Sequence, residues 1–517
     1  MQEPVIAFLS DPQSHGIAGP VEVIQTHSAI VFLAGGHAYK IKRAVKYDYL
    51  DFLSLAAREA VLRRELALNK PAAPTIYDRV VPITRDSSGA LALDGPGDPV
   101  EYVLVMRRFP AKDELANIAE AGGLTIPIAD ALGRSVAGYH AAAEVLRTGE
   151  GAVLIHEIIE ELERVFAGMT DTLGADPVAH FSMAARAQLQ RHRALLDRRS
   201  GEGRVRRCHG DLHLKNLVMI DGVPVPFDAL EFDERLGTCD VYYDLAFLIM
   251  DLWHRGLRVQ ANAMLSAYVS VTGDISGLAA LPLFLGIRSA IRAMVDVQTW
   301  RLTGDATLTR NALTYLTDAN AFLDPPPPRL VAIGGLSGTG KTTVARLIAP
   351  GIGPPPGALV LRSDVERKAL FGAAPLEPLP PSAYSEAASR RTYVRLFARA
   401  AEALAAGHGA LLDATFLDAQ DRAAAARVAA RAGVPFQPVW LTAPPDILAR
   451  RIRTRAADAS DATEAVLRAQ IASAKAPGDW PRADASGDPE TSAAAARTCL
   501  DAQEGAGQPP DDPQLSG

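Results

Sequence analysis

The sequence is poor in the features that would commit it to the cell exterior, a membrane or nucleic acid. Three cysteines in 517 residues (Cys208, Cys239, Cys499) are too few for a disulfide framework, and a reducing cytoplasm is the expected compartment. No apolar run approaches the ~20 residues that a membrane-spanning helix needs. The longest, around residues 245–252, is interrupted by Asp251. Met1-Gln2-Glu3-Pro4 puts no basic region ahead of an apolar run, so no signal peptide is expected. A basic excess is also missing. The net charge is −7 and the pI is near 5.9, which argues against a nucleic-acid-binding surface as the main business. What is present is a chain 48% hydrophobic with mean hydropathy +0.05, the balance of globular domains rich in Ala-based helices. It is too long for one core, and about three folding units are expected.

The stretch that organises the rest is Cys208-His209-Gly210-Asp211-Leu212-His213-Leu214-Lys215-Asn216-Leu217, followed by Phe227-Asp228-Ala229-Leu230-Glu231-Phe232. A hydroxyl that attacks phosphorus needs one carboxylate to take or orient its proton. It also needs two further oxygen ligands for the magnesium that neutralises the phosphates. Asp211 suits the base, and Asn216 and Asp228 suit the metal. Asp211 and Asn216 lie five apart on one polar loop, and apolar residues 217–220 and 223–227 predict a hairpin between Asn216 and Asp228. A lone His-x-Asp is usually an ordinary polar turn; the string with both flanks carries the chemistry.

Residues 21–26 and 29–34 read as two strands, with Gly35-Gly36 as a turn before a third strand over 37–42. Side chains alternate along a strand, so Lys40 and Lys42 share one face. They form either a solvated basic edge or a pair of which one reaches nucleotide phosphates, and Ala-x-Lys favours Lys40. A helix over about residues 53–70 carries Glu59 and Glu65; either would pair with the lysine, and Glu65 is preferred. Residues 101–106 predict another strand, leading into Arg107-Arg108-Phe109-Pro110 as the hinge where adenine sits. Residues 112–200 read as helical, with His140 structural on the Ala-rich span 128–145. Asp244 falls at a helix start, where a carboxylate caps free N–H groups, and reads as a brace for the Asp211 loop.

Tyr39-Lys40, the 209–216 loop, Asp228 and the helix start at 240–246 together resemble the aminoglycoside phosphotransferase/choline kinase branch of the protein-kinase-like fold. The resemblance covers residues 20 to about 322. It implies transfer of the γ-phosphate of ATP to a small-molecule hydroxyl, with Asp211 catalytic and Asn216 and Asp228 as metal ligands. Three departures stand out. Leu214-Lys215 replaces the common Pro-Gly, and Ala229-Leu230-Glu231 follows the metal Asp where an aromatic and an acid are usual. Thr26-His27-Ser28 is the only trace of a glycine-rich phosphate loop.

Asp324 and the four prolines 325–328 cannot continue a helix and favour a stiff spacer. The expected organisation is therefore 1–322, a linker at 323–328, a second domain at 329–504 and a disordered tail at 505–517. Directly after the linker comes Leu330-Val331-Ala332-Ile333-Gly334 and then Gly335-Leu336-Ser337-Gly338-Thr339-Gly340-Lys341-Thr342-Thr343. This is a strand, the pattern G-x-x-x-x-G-K-T, and a helix. Its glycines let backbone N–H groups curl round a β-phosphate, Lys341 reaches the β/γ oxygens, and Thr342 coordinates magnesium. Gly335, Ser337, Gly338, Thr339, Gly340, Lys341, Thr342 and Thr343 are thus the expected nucleotide contacts. Asp364 and Asp413 end buried-type strands over 359–364 and 410–413, and Asp413 suits a magnesium-orienting role. Arg451 and Arg455, one turn apart, are expected to close over the transferring phosphate.

Residues 329–504 resemble the small-molecule P-loop kinases of the gluconate/shikimate kinase and zeta-toxin group. That resemblance implies Asp364 as base for the acceptor hydroxyl, Arg422 or Arg367 as acceptor contacts, and a doubly wound parallel sheet. The whole chain resembles bacterial fusions usually labelled bifunctional aminoglycoside phosphotransferase/ATP-binding protein. The expected fold class is accordingly α+β followed by α/β, a protein-kinase-like fold and then a P-loop kinase fold. Each head is expected to bind ATP and Mg2+ and to phosphorylate a small hydroxyl acceptor. Membrane and nucleic-acid partners are not expected. Two alternatives are a nucleotide-binding first head that regulates the second, and a toxin-like kinase acting on a macromolecule.

Overall fold

The computed structural model describes residues 2–47, 50–374, 376–454, 459–473 and 476–507. The chain forms two compact units, Met1–Ile158 with Arg193–Asp251, and Ile159–His192 with Leu252–Gly517. The proline stretch lies inside the second unit. No helix among the described residues is long and apolar enough to cross a membrane.

The first unit begins with strands β1 (Glu22–Gln25), β2 (Ala29–Ala34) and β3 (His37–Lys42), a short pair β4 (Lys46–Tyr47) and β5 (Leu50–Asp51), then β6 (Tyr77–Arg85), β7 (Leu91–Leu93) and β8 (Asp98–Arg107). Six of them make an antiparallel sheet in the order β1-β2-β3-β8-β6-β7. Alternation along β2 and β3 decides which side chains meet. Ile30, Phe32 and Ile41 face one way, onto Val5 and Leu9 of helix Glu3–Ser10. Lys40 sits opposite Leu104 in register, and Leu104 packs with Tyr77 and with Leu62 of helix Leu55–Asn69. The lysines are therefore on the face covered by the helix that carries Glu65. Ser54 starts that helix by accepting a hydrogen bond from the Ala57 N–H at 3.1 Å.

The expected strands at the N-terminus and over 101–106 are present, but β6 has no counterpart in the sequence reading. Pro82 and three charged neighbours (Asp78, Arg79, Arg85) interrupt its pattern. Pro82 is tolerated because β7 pairs only with Ile83, Thr84 and Arg85, so no ladder donor is missed there.

Beyond the helices come β9 (Val205–Arg207), β10 (Leu217–Ile220), β11 (Val223–Pro226) and β12 (Thr238–Asp240). β10 and β11 form the expected hairpin, closed by Asp221 and Gly222, both at positive φ (49° and 79°). A two-residue turn with that twist suits Asp-Gly. β9 pairs with β12, and beside them Arg199, wholly buried, grips Asp240 with Nε–Oδ2 at 2.7 Å and Nη2–Oδ1 at 2.9 Å.

In the second unit β13 (Leu330–Gly334), β14 (Leu359–Arg362), β15 (Ala410–Asp413), β16 (Phe436–Thr442) and β17 (Arg482–Asp484) form a parallel sheet in the order β14-β15-β13-β16-β17. Central β13 is buried along its whole length, which is why it reads as an unbroken apolar run. Register places Ile333 and Arg362 on either side of Asp413, so three strands end together at one edge of the sheet. The outer strand β14 is covered by helix Arg258–Thr272, which precedes the prolines. Asn262 Nδ2 donates to the carbonyls of Pro356 (3.3 Å) and Ala358 (2.9 Å), and Ser266 Oγ accepts from the Val360 N–H (3.3 Å). An exposed edge is thereby blunted.

Replacing Arg199 by Met should leave the Asp240 carboxylate buried without its ionic partner. An expected loss of about 3–5 kcal/mol, measured by urea unfolding, contrasts with a near-neutral result if Arg199 were only filling space.

Candidate phosphate-transfer sites

In the first unit the Lys40 ammonium lies 2.7 Å from Glu65 Oε1 and 2.7 Å from Asp228 Oδ1. Lys42 lies 2.7 Å from Glu65 Oε2 and 2.5 Å from Glu231 Oε1. Glu65 is fully buried and bridges both lysines. Glu59, the alternative, is on the outer side of the same helix and pairs with Arg63 at 2.8 Å. Burial alone would pull the Lys40 ammonium down, but the carboxylates of Asp228, Glu65 and Glu231 outweigh it and raise its pKa well above the ordinary lysine value. Partial desolvation in the cleft works against ionising Asp228, yet Lys40 holds its carboxyl below the usual range.

The Asp211 loop is held from beneath. Asp244, in the first turn of helix Val241–His254, accepts from the N–H groups of His209 (3.2 Å) and Gly210 (2.8 Å) and from His140 Nε2 (3.0 Å). His140, Cys208 and Asp244 approach one another within 4.8 Å, but both Asp244 oxygens are engaged by these donors, and the cluster works as a brace. Gly210 has φ +82°, and a Cβ there would lie 3.0 Å from that of Leu230. His209 Nδ1 accepts from the Asp211 N–H at 3.3 Å, so its Nε2 carries the proton donated to the Phe227 carbonyl at 2.9 Å. Burial lowers the pKa of this imidazole and keeps it neutral.

Asn216 Nδ2 donates to Asp211 Oδ2 at 3.0 Å, and the Asn216 carbonyl accepts from the Phe227 N–H at 3.0 Å. Asp228 follows directly, at φ +60°, a conformation Asp tolerates better than most residues. Its N–H donates to Tyr77 Oη at 2.9 Å, and the Ala229 N–H donates to Asn69 Oδ1 at 2.8 Å. Lys40, Glu65 and Asp228 are thus joined directly, as are Asp211 and Asn216, with the hairpin linking the two groups. Asn216 and Asp228 offer oxygen donors that fit magnesium. Lys42, expected beside Lys40, completes the site together with Glu231, Tyr77 and Asn69, which were not singled out. Glu231 could have been found from its position three residues after Asp228.

In the second unit the P-loop joins β13 to helix Lys341–Ile348. Gly338 has φ +86°, and a Cβ there would meet the Leu448 carbonyl at 2.7 Å, so only glycine fits. Lys341 Nζ donates to the carbonyls of Gly335 and Leu336, both at 3.0 Å. Thr342 Oγ1 donates to Asp413 Oδ2 at 2.6 Å, with Arg362 Nε 3.5 Å from the same oxygen. The Thr342 hydroxyl and the Asp413 carboxylate fit magnesium.

A cavity of about 610 Å³ takes in Ser337 to Val344 together with Asp364, Arg367, Asp413 and Arg451. Burial raises the pKa of Asp364, with Asp413 adding to the rise and Arg362 and Lys341 opposing it. Arg451 donates to the carbonyls of Ala485 and Gly487, both at 2.6 Å. Arg455 lies outside the described residues. Arg422 lines a different cavity, beside Trp480, and donates to the Phe416 and Leu417 carbonyls. Of the two arginines expected near the acceptor, Arg367 is the one at the P-loop cavity. Gln470, whose Oε1 accepts from the Ser337 N–H at 2.9 Å, was not foreseen, because it lies more than a hundred residues from the loop it touches.

Residues 330–477 match the AAA domain family. Rv2004c of Mycobacterium tuberculosis (strain ATCC 25618 / H37Rv), described as an uncharacterized protein, is 30% identical over 468 residues, 89% of this chain and 91% of its own length. Among solved structures, a choline/ethanolamine kinase family protein from Mesorhizobium loti aligns with 62% of this chain and 94% of its own, at 16% identity and TM-score 0.37. A gluconokinase from Sinorhizobium meliloti aligns with 35% of this chain and 99% of its own, at 16% identity and TM-score 0.27.

Glu65→Gln should remove the carboxylate that two buried lysines share, leaving Lys40 to Asp228 and Lys42 to Glu231, and cost about 1–3 kcal/mol. Glu59→Gln, half-buried on the same helix and paired with the exposed Arg63, should change stability by less than about 1 kcal/mol. Equal effects in urea unfolding would show that Glu65 does not anchor the pair.

Proposed function

Because the chain belongs to the family of Rv2004c and carries an AAA domain over residues 330–477, we propose that it is an ATP- and magnesium-dependent phosphotransferase with two kinase heads, each acting on a small hydroxyl acceptor. In this reading the heads comprise residues 1–322 and 329–504. The single observation that carries it is the convergence of Lys341, Thr342, Asp413 and Asp364 on one cavity at the sheet edge. Phosphoryl transfer asks the protein mainly to position and neutralise, and these four residues are the types that do so. Lys341 leaves its two backbone carbonyls to meet the β- and γ-phosphate oxygens. Asp364 takes the acceptor proton. Thr342 and Asp413 would hold magnesium, which when bound neutralises phosphate charge. In the first head Lys40, fixed by Glu65, meets the nucleotide phosphates, Asp211 orients the acceptor hydroxyl, and Asn216 and Asp228 would hold the metal.

One observation favours the regulatory alternative for the first head. The turn at Thr26-His27-Ser28 carries no glycine, and a phosphate loop that thin suits holding nucleotide without turning it over.

Titration with a non-hydrolysable ATP analogue should give two sites per chain for the wild type and one each for Lys341→Ala and Lys40→Ala. In a small-molecule screen for gain of one phosphate, Lys341→Ala should lower turnover of the second head by about 10²- to 10³-fold. Asp211→Ala should abolish products of the first head. Asp211→Ala indistinguishable from wild type on every acceptor would replace two catalytic heads by the regulatory scheme, and a single unaffected site in both lysine variants would end the proposal.

The pH dependence has a definite sign. Asp364 accepts a proton only when ionised, and burial raises its pKa. The activity that depends on Lys341 should therefore fall with decreasing pH through a midpoint above the ordinary aspartate range. A kcat/KM profile flat down to that ordinary range would remove Asp364 from the role.

A further inference from the structure

One N–H of the P-loop is held by a side chain 133 residues further along the chain: Gln470 Oε1 accepts from the Ser337 N–H at 2.9 Å. Gln470 lies on helix Glu464–Ser473, and Val466, one turn earlier on the same face, lines the P-loop cavity with it. This helix is well anchored. Leu467 is buried, its N–H donates to the Thr463 carbonyl at 3.0 Å, and Glu464 meets Arg453 of helix Pro445–Thr454 at 3.1 Å. Just ahead of it, Asp461 accepts from Lys368 Nζ (3.1 Å), the Leu379 N–H (3.2 Å) and Tyr384 Oη (2.5 Å). Lys368 belongs to helix Ser363–Leu370, which also carries Asp364. The Gln470 amide is therefore delivered to the P-loop by a segment fixed at several points.

A P-loop offers its N–H groups in order along a phosphate chain, and those next to the helix N-terminus meet the inner phosphates. Helix Lys341–Ile348 begins four residues after Ser337, so Ser337 stands at the outer end of that row, nearest to a third phosphate. An amide oxygen and a phosphate oxygen then compete for one donor. The phosphate bond is charge-assisted and roughly twice as strong as a neutral one. The phosphate wins, but the bond it breaks reduces its net gain. A diphosphate stops short of Ser337 and leaves the amide in place.

We propose that Gln470 is the residue by which the C-terminal head tells a nucleoside triphosphate from a diphosphate. Its amide oxygen holds the Ser337 N–H until the third phosphate displaces it, and returns once that phosphate has been transferred. This rests on the reading of the cavity as a nucleotide site. Because the contact costs the triphosphate and spares the diphosphate, changing Gln470 alters the ratio of the two affinities and not both together.

The test is calorimetric titration of the full-length protein, in magnesium, with a non-hydrolysable ATP analogue and with ADP. The binding component lost in Lys341→Ala is assigned to the P-loop. Gln470→Ala, which releases the donor and suits a helix, should tighten the analogue about 2- to 10-fold, the range of one neutral hydrogen bond, and change ADP less than about 2-fold. Gln470→Glu puts a carboxylate on the same N–H, where it binds more firmly and repels phosphate. It should weaken the analogue about 10-fold and ADP less. Loss of packing alone would shift both variants in the same direction. An unchanged affinity for the analogue in both variants, a weaker one in Gln470→Ala, or an equal shift for ADP overturns the competition and leaves the kinase reading standing. A wild type with no Lys341-dependent component overturns both.

Discussion

A charge removed from water has to be met by another charge, and this constraint organises the first unit around Glu65. Its carboxylate has no exposure and touches two ammonium groups at once, each of which reaches a further carboxylate. The alternation Asp228–Lys40–Glu65–Lys42–Glu231 ties a strand, a helix and the segment after the hairpin into one electrostatic chain. Removing Lys42 would take from the buried Glu231 carboxylate the ammonium that meets it, a costly loss in a low-dielectric setting. The same rule is obeyed elsewhere by Arg58 with Glu101 and by Arg199 with Asp240. Against that background, Arg367 stands out because its nearest polar contacts are a carbonyl and a hydroxyl.

Both candidate sites place acidic groups on backbone that has little room to move, but they do so by different means. In the first, Asp244 gathers two consecutive N–H groups of the Asp211 loop, while Tyr77 and Asn69 hold the backbone at Asp228 and Ala229. Side chains distant in sequence therefore fix the loop. In the second, parallel strands end in register, and Asp413 is positioned by the ladder itself. Precision comes from secondary structure there and from buried side-chain hydrogen bonds in the other.

The proline stretch marks a change of local structure without marking the edge of a compact unit. Helix Arg258–Thr272 precedes it in sequence, yet its Asn262 and Ser266 satisfy backbone groups of the outer strand that follows it. A strand edge exposes its N–H and C=O groups whatever lies between the segments in sequence. The spacer is stiff locally, but the need to cover that edge acts over a longer range.

Period-two alternation, the hairpin after Asn216, the unbroken apolar run of β13 and the P-loop glycines are local properties of the chain. They were legible because each depends on neighbours a few residues away. Sequence by itself therefore determined the order of the main elements other than β6, the lysine pair on one strand face, and the grouping of Asp211 with Asn216 and of Lys341 with Thr342. Tertiary structure alone decided that Glu65 rather than Glu59 meets the lysines, that Glu231 closes the charge chain, that Gln470 touches the P-loop, and that Arg367 and not Arg422 reaches the cavity. Each of these depends on which side chains lose contact with water together. Such a choice is made by the packing of elements far apart in sequence, and no spacing rule along the chain contains it.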